Sequence, residues 1–233
     1  ATFIYDLMIL SSIILTNVKL MNETKELKTG TTTVGIVCKD GIILAADKRV
    51  TAGYVANKKF MKVAQIADKM ALTMTGVVSE AQLLIKLIQA ELKLKDVQTN
   101  RISNVKEAAN LLAGLIYSNV RKMSMVQGIA AFLLGGADAE GYHLYDLGAD
   151  GSVQKVDDYS ADGSGCLFAL GVLETLFKKN MSVDEGVKLA AKAVNAALQR
   201  DLYTGNGIDI FSVTDKGVKL VMEKELTAVL QID

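Results

Sequence analysis

The sequence contains no proline, where ordinary usage of about 5% predicts about a dozen in 233 residues. No function follows from that absence, but other scarcities exclude whole classes of chemistry. The single histidine, His143, lies in a strand-like Tyr-His-Leu-Tyr stretch, which argues against a histidine-based triad or a zinc site. The two cysteines, Cys38 and Cys166, share no metal or redox spacing, as befits a reducing compartment. Neither sign of charge dominates: 26 basic residues face 26 acidic ones without a block of either. Nothing therefore points to a nucleic acid or an anionic membrane surface. Long apolar runs are missing as well. Phe3 to Leu15 is mostly apolar, but Asp6 interrupts it and it falls short of the roughly 20 residues that span a bilayer. It also lacks the basic start and small-residue cleavage site of a secretory signal.

What is present describes a globular protein. Half the residues are apolar and 22% are charged, enough to build a sizeable core. From Asn17 the chain turns polar and ends the segment in Lys25-Glu26-Leu27-Lys28-Thr29-Gly30. Met21 offers an internal start, and the sequon Asn22-Glu23-Thr24 matters only in a secreted protein. Residues 1–30 read as a removable leader, and 31–233 as one domain.

Two short strands open that domain, Val34–Val37 and Ile42–Ala46, joined by a Lys39-Asp40-Gly41 turn. Strand-like stretches follow at 54–62, 63–66 and 70–74. Ser79-Glu80-Ala81-Gln82 reads as a capping box opening a helix to about Lys95, with Leu84, Leu87, Ile88 and Leu92 on its apolar face. A second helix starts near Ser103 and carries Val105, Ala108, Ala109, Leu112 and Ile116. Strands return at 129–134, 142–147 and 153–156. A third helix runs from Leu167 to Lys179, and a capping box at Ser182-Val183-Asp184-Glu185 opens a fourth through about Asp201. Residues 208–213 and 218–221 close the chain as a hairpin. Each helix pair needs a sheet face to cover its stripe, which predicts two packed sheets with helices outside, an αββα sandwich of the α+β class.

The stretch Gly30-Thr31-Thr32-Thr33 at the foot of the first strand poses the chemical question. Threonine favours strands, so β-branched filler is the plain reading. A threonine at a chain start is also a compact catalyst: its hydroxyl attacks, and its own α-amine, with an unperturbed pKa of about 7.7–8.0, accepts the proton directly or through water. Thr31 gains that amine only if the chain is cut after Gly30, whose missing side chain leaves the preceding carbonyl open to the Thr31 hydroxyl.

From Gly30 to Asp233 the sequence resembles an archaeal-type 20S proteasome β subunit, a family of N-terminal nucleophile threonine proteases. The resemblance rests on Gly-Thr-Thr-Thr-Val-Gly-Ile, Ala-Ala-Asp-Lys-Arg-Val-Thr, Met-Thr-Gly (74–76), Gly-Ser-Gly (163–165), Gly-Val-Leu-Glu (171–174), Ser-Val-Asp-Glu-Gly (182–186), Gln-Arg-Asp (199–201) and Gly-Asn-Gly-Ile (205–208). It implies Thr31 as nucleophile, Asp47 as the carboxylate holding a catalytic lysine, and Lys62 as that lysine, with Lys58 and Lys59 as fallbacks. Gly76 matches the glycine whose N–H stabilises an oxyanion. Ser164, Asp201 and Thr204 match a polar cluster around the threonine amine, Thr204 replacing the serine common in the family. Cys166 and Leu167 also depart from the family's usual serine and proline. Val50, Met74 and Val78 match the lining of the pocket for the residue before the scissile bond, and all three are apolar. Ser164 in a glycine-flanked turn could also suggest phosphate binding, but no Gly-Lys-Ser/Thr motif accompanies it.

The resemblance further implies a cytoplasmic endopeptidase needing neither metal nor cofactor and activated by self-cleavage at Gly30–Thr31. It implies heptameric β rings, two of them stacked, capped by α-subunit rings and fed unfolded polypeptide by an ATPase. No nucleic acid or membrane partner is expected. The alternatives are an inactive structural ring subunit that keeps its leader, and a small-molecule amidase of the same fold.

Overall fold

A computed structural model of the chain describes residues 30–125 and 127–226. Apart from Gly30, the expected leader, with its apolar segment, Met21 and the sequon, lies outside the described residues, as do 227–233. The described chain opens with the hairpin β1 (Thr33–Cys38) and β2 (Gly41–Asp47), then a small ribbon of β3 (Val50–Thr51) and β4 (Val55–Asn57). The hairpin β5 (Val63–Ala67) and β6 (Met70–Gly76) leads into helices α1 (Val78–Thr99) and α2 (Val105–Val120). Next come β7 (Ala130–Asp138), β8 (Gly141–Leu147), β9 (Val153–Val156) and β10 (Tyr159–Asp162). Helices α3 (Cys166–Leu176) and α4 (Val183–Arg200) follow, and the hairpin β11 (Gly207–Thr214) and β12 (Gly217–Glu225) ends the described chain.

The two large sheets are antiparallel, in orders β10-β1-β2-β11-β12 and β5-β6-β7-β8-β9. Three apolar clusters make the four layers. Leu72, Phe132 and Leu134 of the second sheet meet Leu84, Ile88, Leu112 and Ile116 of α1 and α2. Val34, Ile43 and Ile210 of the first sheet meet Leu173, Leu189 and Val194 of α3 and α4. Ile42, Leu44, Leu133 and Leu144 lie between the sheets. β2 is buried along its whole length because Ile42, Leu44 and Ala46 face the other sheet while Ile43 and Ala45 face the helices. Cys38 packs in the helix-side cluster. Burial, with help from Asp40 and Glu185, pushes its thiol up to about 12, so it is inert. Among the described residues no helix is long and apolar enough to cross a membrane.

The sandwich agrees with the predicted layering, and several local readings need correction. Ser79 does not cap α1: the helix starts at Val78, its N-cap is Val77, and no side chain bonds its first N–H groups. The cause is tertiary, since the Val77 N–H is already held by the Ile129 carbonyl at 2.8 Å, which ends β6 and turns the chain two residues early. Leu87 is partly exposed, and Ile85 joins the buried stripe in its place. The capping box of α2 is formed by Asn104 and Glu107. β10 was not anticipated, and only 55–57 of the 54–62 stretch is strand. α3 ends at Leu176. The Ser182–Glu185 box of α4 forms as read.

Candidate active site

Thr31 sits two residues ahead of β1 and is only 4% exposed. The turn between β10 and α3 wraps it: Gly165 N–H donates to the Thr31 carbonyl at 3.3 Å. Gly163, at φ +96°, lies so close that a Cβ there would run into the same carbonyl oxygen. The three threonines do different things. Thr32 donates its N–H to Asp47 Oδ1 at 3.0 Å and shares a 2.6 Å hydroxyl contact with Thr204. Thr33 Oγ1 donates to the Asp162 carbonyl at 3.3 Å, tying β1 to its edge strand. Thr31 Oγ1 alone points at reactive groups: it donates to the Gly30 carbonyl oxygen at 2.5 Å and accepts from Lys62 Nζ at 3.0 Å.

Lys62 reaches Thr31 from the foot of β5, where its carbonyl accepts from Met74 N at 2.9 Å. Its side chain is 3% exposed and its ammonium lies 2.7 Å from Asp47 Oδ1, itself fully buried at the end of β2. The third donor direction meets the Gly30 carbonyl at 3.4 Å, so all three protons of the ammonium are accounted for. Asp47 is equally satisfied: Oδ2 accepts from Arg49 N and Gly205 N, both at 3.0 Å, and Oδ1 from Thr32 N and Lys62. Burial lowers the Lys62 pKa, and the attraction of Asp47 opposes that shift without cancelling it. Lys58 is exposed, and Lys59 pairs with Glu225 at 2.7 Å, so neither is the lysine at Thr31.

A hydroxyl and carboxylate network lies behind Thr31. Ser164 Oγ and Thr204 Oγ1 both donate to Asp201 Oδ2 at 2.6 Å, and the Thr31 N–H donates to Ser164 Oγ at 3.2 Å. Asp201 is held as the C-cap of α4, its N–H bonded to Ala197 O. Because the Thr204 proton goes to Asp201, Thr32 is the donor in the Thr32–Thr204 pair.

In front of Thr31 lies a cavity of about 740 Å³ lined by Thr31, Lys62, Val50, Met74, Gly76 and Val78, with Tyr203 and Phe60. Gly76 ends β6 at φ +104°, where a Cβ would collide with the Ile129 carbonyl. Apart from the fallbacks Lys58 and Lys59, the site residues singled out by sequence gather around Thr31, the apolar three on the cavity wall and the Ser164–Asp201–Thr204 cluster behind. Sequence reasoning missed three contributors. Thr32 anchors Asp47. Arg49 fastens the 202–206 loop through Leu202 O at 2.9 Å and Asn206 Oδ1 at 2.8 Å. Tyr203 packs on Gly30. The available signal was adjacency, since Thr32 and Arg49 lie inside the motifs that carry the resemblance.

A four-layer αββα sandwich with a buried threonine at the foot of its first strand defines the N-terminal nucleophile hydrolase class of fold. A family model described as "Proteasome subunit" matches residues 27–213. "Proteasome subunit beta" of Archaeoglobus fulgidus is 41% identical over 187 residues, covering 80% of this chain and 86% of that one. "Proteasome subunit beta 1" of Thermococcus kodakarensis is 40% identical over 209 residues, 89% of this chain and all of that one. "Proteasome subunit beta" of Methanocaldococcus fervens is 39% identical over 203 residues, 86% and 89% of the two. The chain belongs to the proteasome subunit family, as an archaeal-type 20S β subunit. The family is one of peptidase subunits.

Proposed function

We propose that this chain is a threonine endopeptidase subunit, made as a precursor and activated when Thr31 cleaves the bond that precedes it. The observation that carries the reading is the triple contact of the Thr31 hydroxyl with the Gly30 carbonyl, Lys62 and, through Lys62, Asp47. In the precursor the Thr31 nitrogen is a peptide nitrogen and donates to Ser164, so it cannot take a proton. Lys62 is the base at hand, and burial favours its neutral form. The neutral amine takes the hydroxyl proton along the 3.0 Å line as Thr31 Oγ attacks the Gly30 carbonyl carbon. The carbon–nitrogen bond breaks, the proton passes to the departing nitrogen, and Gly30 is left as an ester on Thr31. Water then hydrolyses the ester, releasing the leader as a carboxylic acid and leaving Thr31 with a free hydroxyl and a free amine.

The same hydroxyl then attacks polypeptides, with the new amine and Lys62 as proton acceptors and the Gly76 N–H as the oxyanion donor. Ser164, Asp201 and Thr204 orient the amine. Val50, Met74 and Val78 favour cleavage after apolar residues; peptides differing only at that residue test this, and faster cutting after acidic ones rejects it. As a β subunit it works in the cytoplasm within heptameric rings, two stacked and capped by α rings, receiving unfolded polypeptide from an ATPase. It uses no cofactor. The deciding experiment is the intact mass of the wild-type chain beside Thr31→Ala. The wild type loses residues 1–30 and hydrolyses peptides, whereas Thr31→Ala keeps them and does not. A wild type that keeps its leader is instead an inactive structural subunit.

A further inference from the structure

Gly30 and Tyr203 stand closer than any side chain at position 30 allows. Tyr203 lies in the loop between Asp201 and Thr204 that Arg49 fastens from Leu202 to Asn206. A Cβ built on Gly30 overlaps Tyr203 Cβ outright and stands 2.8 Å from both its Cα and its Cγ. Turning the tyrosine ring does not clear this space, because Cα and Cβ belong to the loop's path. Gly30 cannot withdraw either, since its carbonyl oxygen is held by Thr31 Oγ1 and Lys62 Nζ.

We propose that Tyr203 is the positioning residue that restricts self-cleavage to a glycine at position 30. It presses the Gly30 Cα from one side so that the carbonyl carbon stays against the Thr31 hydroxyl. This rests on the reading of Thr31 as the self-processing nucleophile: the Thr31 Oγ–Gly30 carbon bond forms, the carbon–nitrogen bond breaks, and the hydroxyl proton ends on the new amine. One nucleophile then serves two reactions with opposite demands. Its own leader must present no side chain against Tyr203, whereas a polypeptide substrate sends an apolar side chain toward Val50, Met74 and Val78 in the same cavity.

The test is a double-mutant cycle on the full chain, with processing followed by intact mass over time. Gly30→Ala slows leader loss about tenfold or more when Tyr203 is present, as forced overpacking of a rigid contact does. In a Tyr203→Gly chain only the approach to the Cα remains, and the same Gly30→Ala change slows leader loss by less than about threefold. Tyr203→Ala keeps the overlapping Cβ and gives no such relief. If Gly30→Ala costs the same factor in both backgrounds, as a merely structural tyrosine requires, the proposal is overturned. Should Tyr203→Gly fail to fold, a series at position 30 decides. Gly30→Ala, Gly30→Ser and Gly30→Val all add a Cβ, so the rate falls in one step and the three stay within about threefold of one another. A fall graded by side-chain volume overturns the proposal. A wild-type chain that never loses its leader fails differently, removing the Thr31 reading itself and this proposal with it.

Discussion

Lys48 and Lys62 flank the same strand end, each with a 3%-exposed side chain against a fully buried aspartate, yet their surroundings drive them apart. Lys48 lies 2.8 Å from Asp209 and 2.6 Å from the half-exposed Glu223. Burial works against its charge, but the hydrogen bonds and attraction of the two carboxylates outweigh it, and its pKa is raised. Lys62 has one carboxylate, whose charge is already shared with the N–H groups of Thr32, Arg49 and Gly205, and burial lowers its pKa. A buried lysine beside an aspartate is thus not one kind of object. The number of acceptors per ammonium, and of donors per carboxylate, decides whether the group fastens the fold or is poised to move a proton.

The largest effects expected are on rate, at Lys62. Lys62→Met removes the base and slows both leader loss and peptide hydrolysis by about 10²–10⁴-fold. Its thermal midpoint stays close to wild type, since Asp47 keeps three backbone donors. The pH dependence of precursor processing sharpens this, because the precursor has no amine at Thr31 to confuse the titration. Lys62 must be neutral to act, so the rate rises with pH and levels off well below the ordinary lysine value. Asp47→Asn removes the attraction that holds the proton on and moves that rise to lower pH. Stability carries the matching signs. The lowered Lys62 pKa means a penalty below its folded value that fades as pH rises toward the unfolded one. The raised Lys48 pKa means a contribution complete below the unfolded value and lost only above it. A processing profile flat in pH would remove Lys62 from the role of base.

Lys48→Met is expected to reverse the pattern. Lys48 supplies the one hydrogen bond made by the Asp209 side chain among the described residues, whose other oxygen has no partner. Removing it strands a buried carboxylate at a cost of about 3–5 kcal/mol, a fall of on the order of 10 °C in thermal midpoint for a domain of this size. Leader loss, measured on the folded fraction, changes by less than about threefold. A stable, unprocessed Lys48→Met chain would break the comparison.

The fold was legible where one physical term ruled. Period-3.6 stripes located α1 and α2, the Ser182–Glu185 capping box located α4, and the apolar run Ile42–Ala46 marked β2. The edge strand β10 escaped because Tyr159–Asp162 is half-buried and short, its pairing with β1 set by tertiary contact alone. The site was legible only through the resemblance. Thr31, Lys62, Ser164 and Thr204 come from four separate segments, and no spacing along the chain says that loops at 163–165 and 201–206 close on residue 31. Tyr203 was invisible for a further reason. Its importance lies in an approach to Gly30, and a close approach leaves no mark in a sequence except the glycine.

The smallest effect separates the two helix starts that carry the same serine pattern. In α4 the Ser182 Oγ accepts from Glu185 N, and Glu185 Oε2 accepts from Ser182 N at 2.8 Å. In α1 the Ile129 carbonyl has taken the Val77 N–H, the helix begins two residues early, and Val78 turns to the cavity while Glu80 bonds Asn119 at 2.8 Å. Ser182→Ala therefore costs about 1 kcal/mol, or roughly 2–4 °C in thermal midpoint, with processing untouched. Ser79→Ala costs less than about 0.5 kcal/mol, as an exposed side chain without a cap bond should. Equal losses at the two serines would mean that α1 is capped by Ser79 and that Val78 is free to leave the cavity wall. The apolar lining would then no longer be set by where β6 ends.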